Sequence, residues 1–248
     1  VITDTNSIGY NDVTDGSRVT FAVGLATIKA ARAAIKEMCA RVAKIWGIDE
    51  EAVIWEDGAA KPSGPNAGDF DPMTLAEIAA ISDNTGGPIA GHHEVNADGA
   101  GVSFGVHLVD TEVDPETGTT KVVRYTIFQD AGKAVHPDYV EGQMQGGAVQ
   151  GIGWALNEEY IYGEDGRLQN PGFLDYRVPV ASDLPSIETV ILEIPNPGHP
   201  YGVRGVGETP IVPPLAAIAN AVSRATGVRM TELPMSPPKL LKAMSDKG

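Results

Sequence analysis

Val102-Ser103-Phe104-Gly105-Val106-His107-Leu108-Val109-Asp110 alternates apolar side chains with period two. Val122-Val123-Arg124-Tyr125-Thr126-Ile127 returns after the turn residues Asp114-Pro115-Glu116-Thr117-Gly118. Period two sends successive side chains to opposite faces of a strand, and an Asp-Pro…Gly cluster is turn chemistry. The stretch therefore reads as an antiparallel hairpin within a larger sheet. Helical repeats lie on both sides of it, so the chain is placed in the α+β class, with mixed and antiparallel sheets and packed helices.

Upstream, Leu25, Ile28, Ala31, Ile35, Met38, Val42 and Ile45 recur at three- and four-residue steps, the stripe of a long amphipathic helix. Residues 1–4 read as the end of a strand and 5–20 as a polar loop. Its last turn, Asp15-Gly16-Ser17-Arg18-Val19-Thr20, leads into the helix. Two readings stay open there: Ser17 or Thr20 caps the helix, or free amides and Arg18 receive an anion. Ala52–Trp55 reads as a short strand, Asp57-Gly58 as a hairpin turn, and 58–72 as a loop. Thr74 with Glu77 has capping-box spacing. His92-His93-Glu94 lacks metal-site spacing and a third ligand, and is rejected as one. These patterns suggest a first lobe over 1–98 and a second over 99–248.

Downstream, Pro137 suits a first helical turn. Val140, Met144, Ala148, Ile152 and Leu156 keep a helical repeat through Gly142-Gln143-Met144-Gln145-Gly146-Gly147-Ala148-Val149-Gln150-Gly151-Ile152-Gly153. Glycine inside a helix costs about 1 kcal/mol relative to alanine, so something is expected to pack against this backbone. Gln143 and Gln150 offer two-way hydrogen bonds there. A second hairpin is expected over Tyr160–Leu168 and a strand over Thr189–Ile194. Then comes Gly202-Val203-Arg204-Gly205-Val206-Gly207-Glu208-Thr209-Pro210, whose glycines permit close approach to the main chain. Glu208 is expected at the mouth of a helix whose face is Ile211, Leu215, Ile218 and Val222. It is either a carboxylate presented to a reactant or a charge that complements the helix dipole. A terminal helix is expected near Pro238.

The chain has 248 residues and a net charge of −15, from 18 basic and 33 acidic residues, which argues against a nucleic-acid partner. The single cysteine, Cys39, excludes an internal disulfide, and no Cys/His cluster is spaced for zinc or iron–sulfur. No apolar run is long enough to span a membrane. A cytoplasmic location is the default expectation.

Four stretches together resemble the molybdenum-binding large subunit of the xanthine dehydrogenase/aldehyde oxidase family, the molybdenum hydroxylases. They are Gly202–Pro210, Gly142–Gly153, Leu174-Asp175-Tyr176 with Pro179 and Leu184-Pro185, and the loop ending Gly16-Ser17-Arg18. The likeness is to the C-terminal part of such a subunit, so this chain would be a split subunit or a piece of a longer one. The resemblance implies a molybdenum–molybdopterin cofactor, in bacteria usually the cytosine dinucleotide form, with no protein side chain on the metal. It implies that Glu208 is the general base acting on a metal-bound hydroxide. It further implies that Gln143, Gly16, Ser17, Arg18, Thr20 and Gly207, with Gln150, lie against the cofactor. Electrons would leave through [2Fe–2S] clusters and FAD on partner chains, and the other part of the molybdopterin-binding subunit would be an obligate partner. The substrate would be an aldehyde or an N-heterocycle. A structural subunit without catalysis, and an unrelated α+β ligand-binding protein, are the alternatives.

Overall fold

A computed structural model describes residues 4, 6, 10, 11, 13–96 and 101–247. The strand end expected over 1–4 falls, apart from Asp4, outside the described residues. The chain divides into two compact units, Ala22–Asp98 and Val1–Phe21 with Gly99–Gly248. The turn before the first helix thus groups with the C-terminal part of the chain, where the sequence division had kept it with 22–98.

In the unit Ala22–Asp98, helix α1 (Val19–Trp46, begun just before the boundary) supplies Met38, Val42 and Ala43 to a small core. Strands β1 (Val53–Glu56) and β2 (Ala59–Pro62) pair antiparallel across Asp57 and Gly58. Both turn residues have positive φ, 52° and 78°, the geometry whose twist suits a two-residue hairpin. The expected loop from 58 is therefore shortened: Ala59 and Ala60 are buried strand residues, and β3 (Met73–Thr74) pairs with them. Helix α2 (Leu75–Ala80) starts with the expected capping box. Thr74 Oγ1 accepts from the Glu77 N–H at 3.3 Å, and Glu77 Oε2 accepts from the Thr74 N–H at 2.8 Å. A one-turn helix, α3 (Ser82–Thr85), follows. Cys39 is half-buried beside this core, and burial raises its thiol pKa.

The larger unit is a sheet with helices on one face. Strands β4 (Gly105–Val113) and β5 (Thr120–Asp130) form the expected hairpin. Helix α4 (Pro137–Leu156) leads on to β6 (Ile187–Leu192), which pairs parallel to β5 from Tyr125↔Ile187 to Asp130↔Leu192. The sheet order is β4-β5-β6. Helices α5 (Pro214–Thr226) and α6 (Pro237–Ser245) complete the unit. Tyr125 and Ile127 from the sheet meet Met144, Ala148 and Ile152 of α4, Ile218 and Val222 of α5, and Leu240 of α6. Each fully buried apolar side chain there stabilises by about 1.5–3 kcal/mol, which fixes α4 and the loops at its ends.

Two α4 glycines pack directly on prolines that follow the loop 203–208. A β-carbon at Gly147 or Gly151 would stand 2.6 Å from Pro210 Cγ or 2.5 Å from Pro214 Cβ, so the helix backbone lies directly on these prolines. Gly142 and Gly146 face open space. The helix expected from 211 begins instead at Pro214, because Pro213 and Pro214 lack the N–H of an interior helical position. Thr209–Ile211 forms a separate 3-10 turn, and Glu208 is its N-cap, with no side-chain capping bond. Glu208 does not stand at the start of an α-helix.

Candidate functional site

Three segments of the larger unit, distant in sequence, meet at a cleft of about 570 Å³. They are the turn before α1, the first turns of α4 and the loop 203–208. Ser17, Thr20, Gln143, Gly207 and Glu208 all line this cleft. Gly16 and Arg18 line a second cleft of about 260 Å³, and Ser17 borders both. Gln150 lines neither; it is exposed on α4, seven residues and about two turns beyond Gln143.

The turn is built to reach the loop. Gly16 and Ser17 both have positive φ, 55° and 57°. Serine in that region costs about 1 kcal/mol or more, and the conformation carries its hydroxyl across to residue 208. The Glu208 N–H donates to Ser17 Oγ at 2.7 Å. A β-carbon at Gly205 would lie 3.0 Å from Ser17 Cβ, so glycine is what lets the two backbones close to this distance. Ser17 thus engages the loop, an outcome that neither of the two open readings for this turn contained.

The loop is anchored from below by residues that no local pattern singles out. Arg204 Nε pairs with Asp130 Oδ2 at 3.0 Å and donates to the Ile194 carbonyl, while its Nη1 donates to the Val102 carbonyl at 2.7 Å. Asp130 also accepts from the N–H groups of Gly132 and Ile194. Fully buried Gln129 donates through Nε2 to the Val206 carbonyl at 3.1 Å. His199, buried, accepts at Nδ1 from the Tyr201 N–H, so its Nε2–H donates to the Phe21 carbonyl at 3.1 Å. Four of these contacts, Arg204 with Asp130 and Val102, Gln129 with Val206 and His199 with Phe21, span more than 70 residues, and sequence spacing carries no signal for them. Around the cleft, His136 caps α4 and stacks on Tyr139 with ring centroids 4.0 Å apart. Lys133 pairs with Glu193 at 2.9 Å; that hydrogen bond, with one from the Ala134 N–H, holds the Glu193 carboxyl below its ordinary pKa.

Glu208 itself is exposed, and its carboxylate makes no hydrogen bond or ion pair among the described residues. A carboxylate held by its backbone but unpaired at its oxygens is available to take a proton from a bound molecule.

Residues 1–185 match the family described as the molybdopterin cofactor-binding domain. The chain belongs to the molybdopterin-binding family of xanthine dehydrogenases and aldehyde oxidases. It is 33% identical over 207 residues to the 6-hydroxypseudooxynicotine dehydrogenase complex subunit gamma of Paenarthrobacter nicotinovorans, covering 82% of this chain and 24% of that one. It is 38% identical over 167 residues to the putative xanthine dehydrogenase molybdenum-binding subunit of Escherichia coli K12, covering 67% and 22%. Among solved structures, the carbon monoxide-reduced Cu,Mo-CO dehydrogenase matches with a TM-score of 0.83 at 28% identity, over 98% of this chain and 31% of that one. This molybdopterin-family chain therefore spans about a quarter to a third of the length of these proteins. Its α+β fold is that of the matched part of the CO dehydrogenase chain. The family match ends before Glu208, and the structural match extends past it.

The cleft suits such a cofactor. Its walls offer hydroxyl and amide groups beside the charged Asp15, Lys133, Arg204 and Glu208, and Gly207 leaves room for two of the neutral ones: a β-carbon there would come within 3.0 Å of Gln143 Oε1 and 3.3 Å of Ser17 Oγ. Among the described residues no group of three or more His, Cys, Asp or Glu could hold a metal ion. No helix among the described residues is long and apolar enough to cross a membrane.

Proposed function

We propose that this chain is the base-carrying part of a molybdenum hydroxylase's molybdopterin-binding subunit, which oxidises an aldehyde or N-heterocyclic carbon with oxygen taken from water. The observation that carries this reading is the bond between the Glu208 N–H and Ser17 Oγ at 2.7 Å, beside Gln143 and Gly207 in one cleft.

Gln143, Ser17 and Thr20 bind the cofactor at the cleft wall, with Gly16 and Arg18 holding its extension in the second cleft. When bound, the molybdenum cofactor supplies the activated water oxygen and accepts two electrons. A C–H bond and a water molecule become a C–OH group, two protons and two electrons. A Glu208 carboxylate oxygen takes one of the protons. The Ser17 bond fixes the backbone of Glu208, and Gly207 leaves room for the Gln143 amide and the Ser17 hydroxyl beside it, so that proton transfer needs no rearrangement of the loop. The electrons pass to [2Fe–2S] and FAD partner chains in a cytoplasmic complex that also contains the other part of the molybdopterin-binding subunit. The pterin is in its cytosine dinucleotide form.

Metal analysis of the native assembly tests the cofactor reading. About one molybdenum and about four irons, two [2Fe–2S] clusters, are expected per complex. Glu208→Gln in that assembly should keep the molybdenum and lower kcat by about 10²–10⁴-fold. Unchanged turnover would leave the chain a structural part of the subunit, and no molybdenum would remove the cofactor reading altogether.

A further inference from the structure

The inner face of the β4-β5-β6 sheet is covered by α4 and α5, whereas the outer face carries an apolar stripe left exposed among the described residues. Phe104, just before β4, and Val106 and Leu108 on β4 are 66%, 60% and 56% exposed. The register carries the stripe across the sheet: Val106 is paired with Phe128, and Phe128 with Val190. Polar contacts rim the patch. The Asp110–Arg124 ion pair and the Thr126–Glu188 hydrogen bond close one end, and Asp130–Arg204 closes the other. A contiguous apolar surface with a polar rim is the form of a protein-binding surface.

We propose that this face docks an apolar segment of the part of the large subunit that this chain does not span, carried on the same polypeptide or another. The proposal rests on the reading of the chain as one part of a molybdenum hydroxylase subunit. Three observations select this occupant. The relatives are several-fold longer, this chain covering only 24% of one and 31% of another, so more than two thirds of such a subunit lies outside it. A second copy would bring a net charge of −15 against −15, which opposes self-association. The stripe also runs into the candidate site, because Val102 and Ser103, next to Phe104, form a wall of the second cleft with Gly16, Ser17 and Arg18. A segment seated on the sheet would close that cleft as well.

Photo-crosslinking in the native assembly tests this, with p-benzoylphenylalanine incorporated at position 104 just before β4 or, as a second reading of the same face, at 192 on β6. A control probe occupies position 116 on the exposed hairpin turn. The expected result is a shift of the chain on a denaturing gel from 104 and 192 but not from 116, with the crosslinked peptide lying in large-subunit sequence outside residues 1–248. No shift from either face position, a peptide from a second copy of residues 1–248, or a peptide from an iron–sulfur or flavin chain would each overturn the proposal. Molybdenum measured on the same sample separates the two readings. A molybdenum-free assembly that still crosslinks keeps the docking surface and loses the cofactor, and a loaded assembly without the crosslink does the reverse.

Discussion

Gly207 lies so close to Gln143 that a β-carbon on it would stand 3.0 Å from the Gln143 amide oxygen. The contact is with the far end of a flexible side chain, which can swing aside. Gly207→Ala should therefore fold with a stability loss of no more than about 1 kcal/mol. Displacing the Gln143 amide takes a hydrogen-bonding group from the cleft, so molybdenum per complex should fall. Metal content and a melting curve on the same preparation check both halves. Full molybdenum retention would mean that Gln143 does not hold the cofactor.

Ser17 can be divided into its backbone and its hydroxyl. Ser17→Gly relieves a left-handed serine, a gain of about 1 kcal/mol, while deleting the acceptor of the Glu208 N–H. The lost bond offsets that gain, so the variant should be about as stable as the parent, yet lose about tenfold in kcat, the equivalent of one lost hydrogen bond in the transition state. Ser17→Asn, which tolerates the same φ and keeps a side-chain oxygen, should restore part of the rate. An unchanged kcat in Ser17→Gly would show that the bond does not position Glu208.

The α4 glycines should separate into two classes. Gly142→Ala and Gly146→Ala meet open space, so each should stabilise the chain by about 0.5–1 kcal/mol. Gly147→Ala and Gly151→Ala press into Pro210 and Pro214 and should destabilise it by about 1–3 kcal/mol, as overpacking does. Denaturant unfolding of the four variants measures this directly. Equal effects across the set would contradict the packing of α4 on the prolines.

What was legible in the sequence follows the range of the forces involved. The β4–β5 hairpin, the Thr74 capping box and the long α1 helix rest on contacts a few residues apart, so periodicity and turn chemistry disclosed them. Glu208, Gln143 and Ser17 carried local peculiarities of glycine spacing and hydroxyl placement, and they do meet at one cleft. The start of α5 was misplaced because three prolines in the run 210–214 outweigh its apolar repeat. Asp130, Gln129 and His199 have ordinary neighbours; each gains its place from a partner brought near only by the folded sheet. The parallel pairing of β6 was illegible for the same reason.

Arg204 and Asp130 form an ion pair that is nearly sealed from water, with side-chain exposures of 13% and 5%. Arg204→Met would leave the Asp130 carboxylate buried without its cation, a loss of about 3–5 kcal/mol, and would free the loop leading to Glu208. Adding Asp130→Asn removes the stranded charge and should recover much of that loss. Urea midpoints for the single and double variants form a cycle that isolates the pair. A single variant as stable as the parent would mean that the pair contributes nothing to holding the loop.

His107 gives the fold a dependence on pH. Its ring is buried at the sheet, with Nδ1 hydrogen-bonded to the Tyr125 hydroxyl at 2.8 Å, and desolvation lowers its pKa from 6.5 to about 4. Between those values the unfolded chain binds a proton that the folded chain refuses. Stability must therefore fall as the pH drops from about 6.5 towards 4, by up to about 3 kcal/mol from this group, and change no further below. Gln at 107 stays neutral throughout and can still meet the Tyr125 hydroxyl. Carboxylates that titrate in the same window do so in both proteins, so the difference between the two curves belongs to His107. Denaturant midpoints at pH 7 and pH 4.5 should show the parent losing more stability than His107→Gln, and parallel losses would mean that the imidazole charges freely inside the sheet.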